Sequence, residues 1–338
     1  MNAKQNAQEN GRVLRVHLVH PPPDGAVRHL DKLLAPRIEL SMGSDRIPTE
    51  LDVLVAGRPT KDLLVSQQRL RALIIPYAGV PAETRTLLLE HFQDLAVYNL
   101  HHNAVAASEL AFALFLAAAK TLIPVDRTFR MHDWRSRYDG APTLLLDGKT
   151  AVILGFGAIG RRIAASCKAL GMHVHALRRT AKHETLDGIQ VHPSKELAEI
   201  LPLAHALFVA LPLTPETEGM IGKREIGWLS PNCVLVNIAR GKVIDEAALY
   251  AALRDQHLAA AGIDVWYEYP KSEASRANTP PSRFPFHELD NVVMSPHRGG
   301  AFLLEELEQR RMTDLAGTLN ALSRGESPTH RVDVLAGY

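Results

Sequence analysis

A glycine-rich segment gives the clearest sign of chemistry in this sequence. Residues 150–160 read TAVILGFGAIG, so a GxGxxG motif follows an apolar run and leads into the helical pattern RRIAASCKALG. Gly155 suits a tight turn, Gly157 would let the backbone approach a pyrophosphate, and Gly160 would allow close helix packing. The amide groups at the start of the helix would attract the anion. The segment predicts a dinucleotide-binding site, against the alternative of an incidental glycine-rich turn.

The choice of dinucleotide depends on the end of the next strand. An acidic residue about 20 positions on would accept hydrogen bonds from a ribose 2′-hydroxyl, but this sequence has HALRRT at residues 175–180. Arg178 and Arg179 cannot accept a hydrogen bond, whereas guanidinium groups bind phosphate in a bidentate manner. We therefore predict NADP as the preferred cofactor. NAD, with two solvated arginines on an exposed turn, stays open as the alternative.

Two later segments contain residues that could bind a carboxylate and move a proton. Arg240 lies in VLVNIARGKVIDEAAL at residues 234–249, and His297 lies in MSPHRGG at residues 294–300. A planar guanidinium can hold a carboxylate and stabilise an oxygen that gains negative charge. Histidine titrates near neutrality and can deliver the proton that reduction of a ketone requires. The chain has 16 histidines, so the order of the motifs, and not the histidine alone, indicates a site.

These motifs, with LPLTPET at 211–217 and GIDVWYEYP at 262–270, resemble the family of D-isomer-specific 2-hydroxyacid dehydrogenases. The resemblance runs from about residue 50 to the C-terminus and is loose in the first hundred residues. It implies hydride transfer between NADP(H) or NAD(H) and a small 2-oxo or D-2-hydroxy acid such as glyoxylate or hydroxypyruvate. By matched position, Arg240 would bind the substrate carboxylate and carbonyl, and His297 would be the general acid for reduction.

The acidic partner of His297 departs from the family pattern. The position where the family has a glutamate is Tyr269, and Glu268 is its neighbour. Successive side chains of an extended segment point to opposite sides, so Glu268 could replace the acid only if the backbone bends. We take Glu268 as the catalytic partner. Two alternatives stay open: Tyr269 orients His297 without lending charge, or the pair is inactive and the protein only binds.

The resemblance assigns further residues to the cofactor. Asp264, in the DV pair, would lie near the nicotinamide carboxamide, and its alternative reading is a buried cap at a strand end. The remaining cofactor assignments are Ala158, Ile159, Leu211, Pro212, Thr217, Ile238, Ala239 and Gly299.

The substrate loop is expected in the first part of the chain. PYAGVP at residues 76–81 resembles the loop whose backbone amides hold the substrate carboxylate, with Ala78, Gly79 and Val80 as the matched positions. Small residues there would let a ligand approach the main chain; a plain turn is the alternative. His101 and His102 could contact substrate, although packing histidines are commoner.

These residues must be positioned by parallel sheets. Short β-rich runs alternate with helical patterns, which predicts an α/β fold of two doubly wound parallel-sheet domains, with a Rossmann dinucleotide domain inserted in a flavodoxin-like substrate domain. We expect a disordered leader (1–11), a substrate domain of 12–105 plus 302–338, and a dinucleotide-binding domain of 106–301. In the first domain we predict four strands, Val13–Val19, Val53–Ala56, Ala72–Ile75 and Ala96–Asn99, and helices near Leu30, Leu64 and Leu88. We also predict two long helices, a buried one at 104–122 and an amphipathic one at 302–322.

Bulk composition limits the partners. The 338 residues include 38 Lys and Arg against 37 Asp and Glu, so no strong field would attract nucleic acid or an anionic membrane. Cys167 and Cys233 suggest neither a disulfide framework nor a Cys-rich metal site, and we expect no metal. A polar start and short apolar runs predict a cytoplasmic protein. The resemblance implies a homodimer formed through the dinucleotide domain, with region 107–150 supplying much of the contact.

Two other classes of function compete with the leading one. A nucleotide-binding regulatory protein would keep the fold with a degraded catalytic pair, and Tyr269 is the main support for it. A formate- or phosphite-type dehydrogenase would keep the cofactor and change the donor, but the first domain lacks clear signals for either.

Overall fold

A computed structural model of the chain describes residues 13–140, 142–180, 182–300 and 304–337. The described residues form two compact units, one from 13–103 with 304–337 and one from the described part of 104–300. The leader expected at 1–11 lies outside the described residues. The boundaries of the units differ by one or two residues from those predicted above.

The first unit is built on a five-stranded parallel sheet. Its strand order is β2-β1-β3-β4-β5, which is the order of flavodoxin-like folds. The strands are β1 (Leu14–Leu18), β2 (Ile38–Met42), β3 (Val53–Val55), β4 (Ala72–Ile75) and β5 (Ala96–Asn99). The helices of this unit are α1 (Asp24–Leu33), α2 (Lys61–Val65), α3 (Ala82–His91) and, from the C-terminal segment, the helix Glu305–Ser323, which is α11 in chain order.

Helices cover both faces of this sheet, as a parallel sheet requires. On one face α1 and α11 pack over β1, with Leu30 and Leu319 fully buried. On the other face α2 and α3 contribute Leu64 and Leu88 to a second apolar cluster. The loops that follow the strands lie at the carboxyl ends of the sheet, which the helices do not cover.

The second unit contains an eight-stranded sheet in the order β13-β12-β11-β10-β6-β7-β9-β8, parallel except for the pairing of β8 with β9. The strand order reverses between β6 and β10, where doubly wound sheets bind their ligands. The strands are β6 (Thr150–Leu154), β7 (His173–Arg178), β8 (Glu184–Leu186), β9 (Ile189–Pro193), β10 (Ala206–Val209), β11 (Val234–Asn237), β12 (Ala260–Ile263) and β13 (Val292–Met294). Both units therefore confirm the predicted fold class.

Three helices of this unit precede its first strand, and the others connect its strands. They are α4 (Ala104–Ala119), α5 (Leu122–Phe129), α6 (Arg135–Tyr138), α7 (Ala158–Ala169), α8 (Leu197–Ile200), α9 (Lys223–Trp228) and α10 (Glu246–Arg254), with 3₁₀ turns at Ser194–Glu196, Leu201–Leu203, Gly241–Val243 and Phe286–Glu288. Helix α4 packs on α7, β11 and β12. Its Phe115 ring lies 5.0 Å from that of Phe208 in an edge-to-face contact.

The prediction of a single buried helix over 104–122 is wrong at its C-terminal end, because the helix ends at Ala119. The chain bends by 65° between α4 and α5, and Thr121 has a φ of +50°. Pro124 explains the break, because proline in a continuous helix would lack its amide hydrogen and clash with the preceding turn. Within the described residues no single helix is long and apolar enough to span a bilayer, and α4 with α5 passes such a test only as this bent pair.

Candidate active site

The glycine motif forms the turn between β6 and α7 that was predicted. Gly155 has a φ of +97°, and a Cβ there would lie 2.5 Å from the carbonyl oxygen of Ala210. A Cβ on Gly160 would lie 1.9 Å from the oxygen of Gly155. Gly157 is the N-cap of α7 and has no atom near its Cβ position. The turn therefore leaves open space in front of the amide groups of α7, and these residues fit a pyrophosphate.

The two arginines predicted to bind a 2′-phosphate stand at the end of β7. Arg178 is half-buried and forms an ion pair with Glu184 on β8. Its Nε atom is buried and has no hydrogen-bond partner among the described residues. Arg179 is exposed just beyond the strand end. A 2′-phosphate would therefore have to compete with Glu184 for Arg178. The presence of two adjacent arginines is not enough by itself to establish the predicted preference for NADP.

The other cofactor assignments lie at the same edge of the sheet. Ala158 and Ile159 begin α7, and the remaining residues follow β10, β11 and β13. Thr217 is held inside its own loop, where its hydroxyl donates to the carbonyl oxygen of Pro212 at 2.6 Å. Ile238 and Ala239 are buried directly after β11. Their position is that of the ligand crevice of doubly wound sheets, and their contacts with a cofactor stay predictions.

Arg240 follows β11 in a turn that Asn237 holds. The side chain of Asn237 accepts from the amide of Ala239 at 3.1 Å and donates to the carbonyl oxygen of Arg240 at 3.2 Å. Arg240 is exposed, and its Nη1 donates to the carbonyl oxygen of Ala239 at 2.6 Å. The guanidinium is therefore tethered to the turn that carries it, in a residue that is exposed overall. This arrangement suits the binding of a carboxylate.

His297 lies in the loop after β13 and is half-buried. Its Nδ1 lies 2.9 Å from the hydroxyl oxygen of Tyr269, which also accepts from the backbone amide of Trp266 at 3.1 Å. The phenol oxygen can accept from Nδ1–H of a protonated ring, and its O–H can donate to Nδ1 of a neutral ring. Tyr269 therefore orients His297 in both protonation states and leaves Nε2 available for proton transfer.

Glu268 does not occupy the position that we expected. The carboxylate is exposed, and among the described residues no hydrogen bond or ion pair connects it to His297. The amides of Tyr267 and Glu268 both donate to the carbonyl oxygen of Pro281, and Tyr267 turns inward to donate to Ile244. The backbone bends at Tyr267, so the segment is not an extended strand, and the Tyr269 hydroxyl, not the exposed Glu268 carboxylate, contacts His297. The geometry supports the tyrosine alternative.

The electrostatic surroundings favour a neutral His297. Burial lowers its pKa below 6.5, Arg240 lowers it further, and Asp264 opposes both. Burial raises the pKa of Tyr269 above 10, although the amide of Trp266 and the charge of Arg240 act in the other direction. Tyr269 is therefore an uncharged phenol at neutral pH, and it lends no charge to an imidazolium. His297 is protonated mainly under acidic conditions.

Asp264 anchors the loop that carries His297. This fully buried carboxylate accepts from the Ser295 hydroxyl at 2.5 Å and from the amides of Arg298 and Gly299 at 2.7 and 2.9 Å. His297 has a φ of +58°, which is uncommon for a residue with a side chain. Bonds to the two following amides hold it there. These contacts show Asp264 as a buried cap at a strand end, which was the alternative interpretation. A contact of Asp264 with nicotinamide stays a prediction.

Replacing Asp264 should test this anchoring. We expect Asp264→Ala to lower the free energy of unfolding by about 3 kcal/mol, because three donors lose the buried charged acceptor that they share. Urea unfolding would measure it. Asp290→Ala is the control, since Asp290 forms only an exposed ion pair with Arg127, and we expect a change within about 0.5 kcal/mol. Equal stability of the two variants would contradict the anchoring by Asp264.

The loop predicted to bind the substrate carboxylate lies at the carboxyl edge of the first unit's sheet. Ala78, Gly79 and Val80 are half-buried between β4 and α3. His101 and His102 follow β5 at the same edge. Burial and Arg311 lower the pKa of His102 to about 4, and its Nδ1 is buried without a partner among the described residues. His102 is therefore neutral at pH 7, and its contact with substrate stays a prediction.

Sequence reasoning missed Trp266. Its amide donates to the hydroxyl of Tyr269, and its indole N–H donates to the carbonyl oxygen of Ser295 at 2.8 Å. This buried side chain thereby connects the segment that carries Tyr269 with the loop that carries His297. Its place inside the segment GIDVWYEYP was the available signal, and a tryptophan there resembles an ordinary core residue.

Comparisons with known proteins agree with this geometry. Residues 112–299 match the family profile described as "D-isomer specific 2-hydroxyacid dehydrogenase, NAD binding domain". The chain is 32% identical to a glyoxylate reductase of Aeropyrum pernix over 90% of this chain and 88% of that protein. It is 27% identical to a D-3-phosphoglycerate dehydrogenase of Methanocaldococcus jannaschii over 93% of this chain, and it spans 58% of the length of that relative.

A solved structure shows the same fold. The NADPH-dependent glyoxylate/hydroxypyruvate reductase of Sinorhizobium meliloti, in complex with NADP and sulfate, superimposes with a TM-score of 0.77 at 21% identity, covering 97% of this chain and 100% of that one. The fold and the site thus define a two-domain α/β protein with a nicotinamide dinucleotide-binding unit. The chain belongs to the family of D-isomer specific 2-hydroxyacid dehydrogenases.

Proposed function

We propose that this protein reduces a small 2-oxo acid, with glyoxylate and hydroxypyruvate as the first candidates, to the D-2-hydroxy acid. The observation that carries the proposal is the convergence of Arg240 and His297 at one sheet edge, where the charge of Arg240 acts on the imidazole. The relative in Aeropyrum pernix is named glyoxylate reductase, which supports the choice of substrate.

The chain's own residues account for binding and proton transfer. The Arg240 guanidinium would bind the substrate carboxylate and stabilise the carbonyl oxygen as it gains negative charge. Nε2 of His297 would donate a proton to that oxygen, while Tyr269 holds the ring through Nδ1. A nicotinamide dinucleotide, when bound, supplies the hydride. A contact of the Ala78–Val80 loop of the first unit with the substrate stays a prediction from the family resemblance.

A broad substrate panel tests this function. Purified protein with NADPH or NADH should oxidise the cofactor in the presence of glyoxylate or hydroxypyruvate, measured by absorbance at the nicotinamide band. Cofactor binding without turnover on any 2-oxo acid, and without turnover of formate or phosphite when NADP⁺ or NAD⁺ is supplied, would support a nucleotide-binding regulator instead. Among the described residues His297 hydrogen-bonds to the phenol of Tyr269 and to no carboxylate, which favours that second candidate, so the binding measurement must accompany the assay.

NADP is the cofactor that we propose as preferred, supported by Arg178 and Arg179 at the end of β7. We expect Arg179→Ala to weaken NADPH binding by about tenfold or more while changing NADH binding little, because a charge-assisted bond to phosphate is lost. Glu184→Gln should strengthen NADPH binding, since it frees Arg178 from its ion pair. Fluorescence titration measures both. Parallel losses for NADPH and NADH would contradict the preference.

We also propose a homodimer, in which the segment 122–145 contributes to the interface. This segment exposes several large apolar side chains, which is unusual for a surface that stays in water; they are Leu122, Ile123, Phe129, Met131, Trp134, Tyr138 and Leu145. Light scattering should give twice the mass of one chain, and Phe129→Asp should shift it toward one. Val65→Asp, at another exposed apolar residue, is the control. An unshifted mass for both variants would contradict this interface. A cytoplasmic location stays a prediction.

A further inference from the structure

A cluster of histidines lies on the dinucleotide-binding unit at the outer edge of its sheet. It involves His183 before β8, His192 on β9, and Glu196 in the 3₁₀ turn that follows β9. Among the described residues these three form the one group of potential metal ligands in which a ligand atom from each lies within 4.8 Å of the others. None of them belongs to the cofactor or catalytic sites described above.

The local fold brings the three side chains together. Strands β8 and β9 form a tight hairpin, in which Asp187 and Gly188 both have positive φ, as a two-residue type I′ turn requires. Glu184 pairs with Val191 in this hairpin, so His183 stands opposite His192. After Pro193 the chain turns at once, and Glu196 returns to His192 four residues later. The register of the hairpin therefore fixes the cluster.

The distances suit a small cation. Oε1 of Glu196 lies 2.9 Å from Nε2 of His183, and Oε2 lies 3.4 Å from Nδ1 of His192. Bonds of about 2.0–2.2 Å to zinc place neighbouring tetrahedral ligands roughly 3.3 Å apart. An ion could replace the hydrogen bonds between these groups with small side-chain movements. His192 and Glu196 are 11% and 15% exposed, while His183 is 69% exposed, so the site would combine a nearly buried pair with one exposed ligand.

His175 gives this cluster an outer partner of the kind that metal sites use. Its Nδ1 lies 3.0 Å from Nε2 of His192, and the two rings stack at 5.1 Å. An ion on Nδ1 of His192 would leave Nε2–H to donate to His175. Metal-bound histidines generally donate their second N–H to a carboxylate, a backbone carbonyl or water, which fixes the ring and its tautomer; here the unprotonated Nδ1 of His175 would be the acceptor. This bond distinguishes the cluster from a surface histidine beside a glutamate.

We propose that His183, His192 and Glu196 bind one divalent transition-metal ion, with Zn²⁺ as the best match. Two imidazoles and a carboxylate are a ligand set that zinc uses with a fourth position open to solvent. Nitrogen ligands disfavour Mg²⁺ and Ca²⁺, which prefer oxygen. The ion would tie the residues that precede β8 to β9. The expectation of no metal, drawn from the lack of cysteine motifs, overlooked histidines that only the hairpin register brings together.

Titration of the full-length, tag-free protein with Zn²⁺ tests the proposal. Calorimetry should show one ion per chain, and Co²⁺ in its place should give visible absorption bands of a four- or five-coordinate site. His192→Gln and His183→Gln should each weaken zinc binding by at least about tenfold. Loss of a residue that only hydrogen-bonds to a metal ligand already weakens binding by about 10–100-fold, so loss of a ligand itself should have at least the smaller of these effects. His287→Gln is the matched control, because His287 also stands beside a glutamate, at 3.9 Å from Glu288.

His183 is exposed, so its variant keeps the test valid if His192→Gln fails to fold. Circular dichroism and cofactor titration would check folding of each variant. Zinc affinity unchanged in both His183→Gln and His192→Gln would overturn the proposal, because the ion would then bind elsewhere. Absence of saturable zinc or cobalt binding to the unaltered protein would overturn it as well.

Discussion

His297→Asn should reduce the rate of 2-oxo acid reduction by about 10²–10⁴-fold, because loss of a positioned general acid typically has that effect. Asparagine tolerates the positive φ of this position, so the loop should keep its form. Steady-state kinetics with NADPH would show the loss in kcat, with NADPH affinity little changed. His287→Asn, at an exposed histidine, should keep full activity.

Arg240→Lys belongs to the same experiment and should lose about 10²–10³-fold in kcat/KM. Lysine keeps the charge but cannot bind a carboxylate with a planar fork. Arg254→Lys is the control, since Arg254 forms an exposed pair with Asp255. Activity near that of the unaltered protein in either His297→Asn or Arg240→Lys would rule out the assigned site.

The second large effect concerns the pH dependence of reduction. Only the protonated form of His297 can donate, and its pKa lies below 6.5 because of burial and Arg240. The value of kcat/KM for reduction, which reports the ionisations of the free enzyme, should therefore fall as pH rises through a midpoint below 6.5. Tyr269→Glu places a carboxylate near the imidazole, and an opposite charge within about 4–6 Å raises such a pKa by 1–3 units. The falling limb should move to higher pH by about one unit or more.

Variants of neighbouring residues make this result specific. Tyr269→Phe should leave the midpoint below 6.5 and lower the maximal rate, because the ring of His297 loses its orienting bond. Glu268→Gln should change neither quantity, as its carboxylate is exposed. A midpoint that responds to Glu268→Gln and not to the substitutions at Tyr269 would restore Glu268 as the partner of His297.

The parallel sheets of both units could be predicted because alternation of apolar strands and helical patterns is a local property of the sequence. The predicted strands Ala72–Ile75 and Ala96–Asn99 match β4 and β5 in both bounds. Strand β2 was missed: none of its five residues is fully buried, so its apolar pattern is weak. The break before α5 was also missed, although Pro124 was a readable signal.

The candidate site shows a similar division. Motif order placed Arg240 and His297 correctly at one sheet edge, because carboxyl ends of parallel strands meet there. The partner of His297 could be either Glu268 or Tyr269, and the sequence alone does not show which of these two adjacent side chains turns toward the histidine. Asp264 and Trp266 act through contacts across separate segments, which become visible only with the folded loops. The cluster at His192 likewise depends on hairpin register.

The central claim is that the residues around Arg240 and His297 support reduction of a 2-oxo acid at its carbonyl carbon. Incubation of the protein with hydroxypyruvate or glyoxylate and NADPH that carries deuterium at both C4 positions tests it most directly. Mass spectrometry and chiral chromatography should find one deuterium at C2 of the product, and D-glycerate from hydroxypyruvate. Product without deuterium, L-glycerate, or intact NADPH after prolonged incubation with both acids would contradict the account.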